Sequence, residues 1–196
     1  MDNKTIIIGS RGQLGSALME AFADHNPLGW DRGEVDVTNQ ADLEAKIFAA
    51  RPTIIINAAG YTNVDEAETH SQEAQAVNAD AVGFLARAAR QLNALIVHYS
   101  TDYVFDGSQK NGYTEHAVPD NPVNVYGKTK LLGEQQLRQS GADYYLIRLS
   151  LLFGPGGRNF VKSILEKAKG LAELKVADYQ SGGQNKTVPI NSKRPD

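Results

Sequence analysis

Thr5-Ile6-Ile7-Ile8-Gly9-Ser10-Arg11-Gly12-Gln13-Leu14-Gly15 is the stretch that decides the fold. A threonine followed by three isoleucines, without polar alternation, reads as a strand buried on both faces, as in a parallel sheet covered by helices. The glycines follow where that strand must turn into a helix. Gly9 suits the tight turn, Gly12 lets a pyrophosphate approach the backbone, and Gly15 allows the helix to pack closely on the strand. The N–H groups at the helix N-terminus then face the phosphates. The spacing is G-x-x-G-x-x-G rather than the commoner G-x-G-x-x-G, but strand, turn and helix supply the context a dinucleotide fingerprint requires. Gly9, Ser10, Arg11, Gly12, Gln13, Leu14 and Gly15 are therefore candidate cofactor contacts. The competing reading is a glycine turn shaped by packing alone.

Outward from this stretch, short apolar runs alternate with amphipathic helical segments, which argues for βαβ units. Gln13 to Asp24 reads as a helix with Leu14, Ala17, Leu18, Ala21 and Phe22 on one stripe. A weak strand lies at Leu28-Gly29-Trp30, and Thr38 is the expected cap of a helix running to about Ala50. Arg51-Pro52 breaks that helix before the strand Thr53 to Asn57. A long helical region follows in two pieces, Asp65 to Glu68 and Ser71 to Leu92. Next come a strand at Leu95 to Tyr99 and a polar loop from Phe105 to Asp120. Asn121-Pro122 is the expected N-cap and first residue of the next helix. Tyr144 to Ser150 is a fifth strand. The expected fold is α/β, a Rossmann-like doubly wound parallel sheet over residues 1–150. Residues 151–196 form a small C-terminal part, with a helix at Phe160 to Lys169 and a strand near 173–177 that is a candidate to rejoin the sheet.

The chain has 196 residues, 41% hydrophobic and 22% charged, with net charge −3. These values fit an ordinary soluble globular protein. No lysine–arginine block suggests nucleic-acid binding. The absence of cysteine removes disulfides and thiolate metal sites and fits a cytoplasmic location. The apolar run at Ile6–Ile8 is too short for a membrane span. No ligand spacing points to a metal, and a homodimer is left open.

Asp31 stands 22 positions after Gly9, where a carboxylate can accept from an adenosine ribose hydroxyl, while Arg32 suits a 2′-phosphate. The pair leaves NADPH and NADH both open, and either residue can equally be plain surface charge. Asn57-Ala58-Ala59-Gly60 ends the third strand with small residues that would let the backbone pack against a cofactor. Asn78, in the following helix, reads more simply as a helix-facing polar residue than as a site residue. Tyr126 and Lys130 lie four apart on one helical face, so the ammonium is expected to lower the phenol pKa and ready it for proton exchange. Ser100-Thr101-Asp102 closes the fourth strand.

Together, Gly9 to Gly15, Asn57-Ala58-Ala59-Gly60-Tyr61-Thr62-Asn63-Val64-Asp65, His98 to Phe105 and Asn124 to Lys130 resemble the extended short-chain dehydrogenase/reductase superfamily. Within it, they most resemble the dTDP-4-dehydrorhamnose reductases. The resemblance implies that Tyr126 is the proton donor, that Lys130 binds the nicotinamide ribose and tunes Tyr126, and that Thr101 hydrogen-bonds the substrate carbonyl. It also implies cofactor contacts at Gly12, Gln13, Leu14, Asp36, Val37, Gly60, Tyr61 and Thr62. Candidate substrate contacts are Thr101, Asp102, Tyr103, Tyr126, Leu151 and Asn159. Sugar-nucleotide dehydratases carry glutamate where Tyr103 stands, so the resemblance favours reduction over dehydration. Leu151 replaces a tryptophan common in the family, and the chain is shorter than full-length members. The implied activity is NAD(P)H-dependent reduction of the 4-keto group of a deoxysugar nucleotide, dTDP-4-dehydrorhamnose first. The alternatives are a non-catalytic NADP-binding regulatory subunit and a sugar-nucleotide epimerase.

Overall fold

The computed structural model describes residues 4–150, 152–154, 160–169, 173–177 and 185–189. They belong to two compact units, Met1–Leu152 and Phe153–Asp196. In the first unit, five strands form one parallel sheet: β1 (Thr5–Ile8), β2 (Leu28–Trp30), β3 (Ile54–Asn57), β4 (Leu95–Thr101) and β5 (Tyr144–Leu149), in the order β2-β1-β3-β4-β5. The chain leaves β1 toward β2 on one side and later returns to β3 on the other. The crevice between the carboxyl ends of β1 and β3 is thus a topological switch point, where open α/β sheets bind ligands.

The principal helices are α1 (Gln13–Ala21), α2 (Gln40–Ala50), α3 (Val64–Ala67), α4 (Ser71–Gln75), α5 (Ala81–Leu92) and α6 (Val125–Gln139). Ile6, Ile8, Ile55 and Ile96 from the strands share one core with Leu43 and Ile47 of α2, Val82 and Leu85 of α5, and Leu137 of α6. Each such side chain, fully buried, contributes about 1.5–3 kcal/mol before the entropy of ordering is subtracted. This core sets the strand ends at one level and so fixes the edge on which the site is built. At β5, Tyr145 and Ile147 are exposed.

Two helix starts differ from expectation. Asn39, not Thr38, caps α2 by accepting from Asp42 N, because the Thr38 hydroxyl and amide are both committed to Asp36 Oδ1. Asn124, not Asn121, caps α6 by accepting from Gly127 N at 2.7 Å. Asn121 sits in the left-handed region at φ 47°, so Pro122 lies outside the helix. The region from Ser71 to Leu92 is helical throughout, but Ala76–Asp80 forms a π turn between α4 and α5. Such turns insert an additional residue into the helix and recur at functional sites.

In the second unit, α7 (Phe160–Ala168) is followed by β6 (Glu173–Ala177) and β7 (Asn185–Pro189). β6 pairs antiparallel with β7 in a two-stranded sheet, where sequence reading offered it to the five-stranded one. The polar, aperiodic run after Gln180 concealed its partner. Leu151 and Asn159 lie outside the described residues. Among the described residues, no helix is long and apolar enough to cross a membrane.

Glu134 on α6 is fully buried, and Arg148 of β5 meets it with two hydrogen bonds, Nε–Oε1 at 2.9 Å and Nη2–Oε2 at 2.7 Å. Arg148→Met removes both hydrogen bonds from this interior carboxylate and leaves it Arg138 Nη2 at 4.0 Å. The expected cost is about 3–5 kcal/mol in urea-unfolding free energy, and a loss under about 1 kcal/mol would contradict the pairing.

Candidate active site

The glycine turn is built by contact. Gly9 adopts φ +78°, and a Cβ there would lie 2.8 Å from Ala59 N, so β1 and the turn after β3 approach backbone to backbone. A Cβ on Gly15 would collide with Gly9 O, which places α1 hard against the strand end. Gly12 is the N-cap of α1 and offers no side-chain cap, leaving the helix N-terminus accessible to an outside acceptor.

These elements surround a cavity of about 780 Å³. Gly9, Arg11 and Gly12 form one wall, with Ala58, Ala59, Gly60 and Tyr61 opposite. Asp31, Arg32, Asp36 and Val37 close the far end. Ser10, Gln13, Leu14, Gly15 and Thr62 lie off the cavity wall, and Ser10 packs instead beneath Gly29. The structure adds residues that sequence reading missed: Val35, Thr38, and Glu73, Ala76 and Val77 from one face of the α4 region. Their i, i+3, i+4 spacing was the available signal.

The far end is polar and tightly organised. Asp31 Oδ2 accepts from Arg11 N at 3.0 Å, and its Oδ1 accepts from Arg32 N at 2.8 Å. The Arg32 amide bond is the main cause holding the Asp31 carboxyl below its ordinary pKa, assisted by the Arg11 amide and both guanidinium charges. Asp36 is likewise depressed, chiefly by hydrogen bonds from the Thr38 hydroxyl and amide. Both carboxylates are thus fixed in the charged form, ready to accept from hydroxyl groups.

Asn78 is almost fully buried and spans two walls. Its Oδ1 accepts from Tyr61 N at 2.9 Å, and its Nδ2 donates to Tyr61 O and to Thr129 Oγ1. Thr129 Oγ1 in turn donates to Tyr126 O at 2.9 Å. A hydrogen-bonded chain therefore joins the cavity loop to the helix carrying Tyr126 and Lys130.

Thr101 ends β4. Its hydroxyl donates to Asp102 Oδ1 at 3.1 Å and accepts from Tyr103 N at 3.2 Å. The Tyr126 ring is half-buried and meets the Tyr103 ring edge-on, with centroids 5.6 Å apart. Burial raises the Tyr126 pKa, while hydrogen bonding with Thr101 opposes that rise. The net rise is the reverse of the lowering expected from Lys130, whose Nζ donates to Tyr99 O at 2.6 Å. Nor does Lys130 serve as the ionic partner of Glu134, which Arg148 holds. Burial depresses the Lys130 pKa to about 8, against the opposing pull of Glu134. At neutral pH, Tyr126 is a protonated phenol beside the Thr101 hydroxyl, able to give a proton to an oxygen placed between them.

A family profile described as RmlD substrate binding domain matches residues 3–190. The dTDP-4-dehydrorhamnose reductase of Burkholderia thailandensis is 40% identical over 182 residues, covering 91% of this chain and 60% of that protein. The same-named protein of Escherichia coli K12 is 37% identical, covering 90% and 60%. A crystal structure of dTDP-4-dehydrorhamnose reductase from Bacillus anthracis in complex with NADP superposes with a TM-score of 0.85 at 37% identity, covering 90% of this chain and 64% of that one. This chain spans about three fifths of the length of these relatives.

The depressed Lys130 pKa has a stability signature. Between pH about 8 in the fold and 10.5 when unfolded, the unfolded chain binds more protons, so this group makes stability rise with pH. The contribution is at most about 1.4 kcal/mol per pH unit. Urea unfolding across this window should show a wild-type slope that Lys130→Met lacks; parallel curves would refute the buried-ammonium assignment.

Proposed function

We propose that this chain, which belongs to the RmlD substrate binding domain family, provides the cofactor-binding and proton-donating part of an NAD(P)H-dependent reductase. The substrate is the 4-keto group of a deoxysugar nucleotide, with dTDP-4-dehydrorhamnose as the first choice. The observation that carries this reading is the meeting of Thr101 and Tyr126 at the carboxyl edge of the same sheet that holds the glycine-lined cavity.

The cavity suits a dinucleotide on its own chemistry. It has an uncapped helix N-terminus for a pyrophosphate, small residues where a flat ring must approach, and ionised carboxylates for ribose hydroxyls. Bound NADPH or NADH supplies the hydride. Thr101 orients the carbonyl oxygen by hydrogen bonding, and Tyr126 Oη gives it a proton as negative charge develops there. The Lys130 ammonium, anchored on Tyr99 O, places positive charge behind Tyr126 and is available to a ribose hydroxyl. Tyr103 braces the Tyr126 ring, and by resemblance it stands where sugar-nucleotide dehydratases carry glutamate, which supports reduction without dehydration. Asn78 sets the Tyr61 loop and, through Thr129, the Tyr126 main chain. A cysteine-free chain of this kind suits the cytoplasm, and a homodimer is the assembly to look for.

The test is NADPH or NADH oxidation in the presence of dTDP-4-dehydrorhamnose. Oxidation that ignores the sugar nucleotide would sink the reading. Tyr126→Phe should lower kcat by about 10²–10⁴-fold while leaving the dinucleotide Kd within about twofold. Undiminished turnover would remove Tyr126 from its role.

A further inference from the structure

The helix that carries Tyr126 begins one residue before it, so Tyr126 has no earlier turn of α6 behind it. The first N–H groups of a helix lack a partner within the helix and must find one outside it. In α6, Gly127 N donates to the Asn124 side chain and Lys128 N to Asn124 O, both supplied by the adjacent cap. Val125 N is held differently. It donates at 2.8 Å to Glu68 Oε1, a carboxylate oxygen 57 residues earlier in the chain.

Glu68 is exposed, but its backbone is fixed. It is the C-cap of α3, whose start Asn63 caps by accepting from Glu66 N at 3.3 Å, and the fully buried Ala67 seats that helix. α3 opens shortly after Gly60 and Tyr61, which line the cavity, whereas Glu68 does not. A short, hydrogen-bonded segment thus runs from the cavity loop to the start of α6, separate from the buried route through Asn78 and Thr129. The two routes bracket one residue: Thr129 bonds the Tyr126 carbonyl after its Cα, and Glu68 bonds the Val125 amide before it. Gly127 lies against Tyr103 O, where a Cβ would collide. The first turn of α6 therefore has the Tyr103 main chain as a stop and Glu68 as a tether.

We propose that Glu68 is a positioning residue for the proton donor: by accepting from Val125 N, it sets where Tyr126 stands relative to Thr101 and the oxygen to be protonated. The proposal rests on reading Tyr126 as the proton donor of a reductase. Glu68 acts through its acceptor oxygen rather than its charge, since the neighbouring charges that bear on Tyr126 are those of Asp102 and Tyr103. Without the tether, the Val125 amide turns to water and the first turn of α6 is free to fray toward Tyr126. Proton transfer is steep in distance, and a misplacement of about 1 Å can cost about 10²-fold in rate.

The experiment compares wild type, Glu68→Gln and Glu68→Ala as full chains, by dTDP-4-dehydrorhamnose-dependent NADPH oxidation and by hydrogen exchange at the Val125 amide. Glutamine keeps the acceptor and gives up the charge, whereas alanine gives up both. Glu68→Ala should lower kcat by about tenfold, with KM and the NADP⁺ Kd within about twofold, and should speed Val125 exchange. Glu68→Gln should restore kcat to within about threefold of wild type and keep Val125 protected. A merely structural role would leave kcat intact at temperatures where both variants stay folded, and that result would overturn the proposal. Equal losses of kcat in the two variants would also overturn it, by assigning the effect to charge. Absence of turnover in wild type would overturn the reductase reading and the catalytic role of Glu68 with it. Unaltered Val125 exchange in Glu68→Ala would remove the tether alone and leave the reductase reading standing.

Discussion

A single buried amide holds the two halves of the site in one geometry. Asn78 uses one acceptor and two donors, and each finds a partner: the Tyr61 amide, the Tyr61 carbonyl and the Thr129 hydroxyl. The geometry is available because α6 approaches the π turn without a side chain between them, a Cβ on Gly133 being blocked by Asn78 O. An unpaired buried amide group costs about 1–3 kcal/mol, so any displacement of α6 is opposed at several points together. The cavity loop and the helix bearing Tyr126 are in this sense one rigid construction. A ligand that positions Tyr61 also bears on the backbone from which Tyr126 projects.

Charge inside this construction is distributed by local pairing rather than by proximity in sequence. Lys130 and Glu134 are one helical turn apart, the spacing that usually makes an ion pair. The interior separates them: the ammonium goes to Tyr99 O and the carboxylate to Arg148. His98 lies nearby, and burial together with the Lys130 charge keeps its pKa well below the ordinary histidine value. Asn57 Oδ1 accepts from Ala59 N, so its Nδ2 faces His98 Nδ1 and fixes that ring nitrogen as the acceptor. The ring is thus neutral and fully buried, and its Nε2–H has no hydrogen-bond partner among the described residues. Lys130 is a buried cation held on Tyr99 O.

Much of the architecture was legible in the chain because it obeys local rules. The Ile6–Ile8 run, the glycines after it and the apolar run before Asn57 specify strands, a turn and the crevice between them without reference to distant residues. Tyr126 came from its i, i+4 spacing with Lys130 and the role of Thr101 from resemblance, and the fold places both at the same sheet edge. The errors arose where two local rules competed. Thr38 has the chemistry of a cap but spends it on Asp36, and Asn121-Pro122 has the form of a helix start but stands before the true cap at Asn124. The place of the Lys130 ammonium could not be read from i, i+4 spacing, since spacing does not disclose the Tyr99 carbonyl that it meets. Asn78 was undervalued for a similar reason: its partners lie 17 and 51 residues away.

The π turn at Ala76–Asp80 separates two kinds of sequence change. Glu73 before it and Ala76 and Val77 at its start face the cavity, and on its C-terminal side Val82, Leu85, Ala86 and Ala89 face the core. Exchange of one small apolar residue for another at these positions leaves the phase between the two faces untouched. Removal of one residue within the turn takes away the additional residue that the turn absorbs, so a regular helix can form with both flanking faces kept near their present phase. Removal of one residue from the regular helix of α5 instead rotates everything after it by about 100° and turns its core face away. Change of length along this helix is therefore tolerated at the π turn, at the cost of the turn that carries Asn78, and not beyond it.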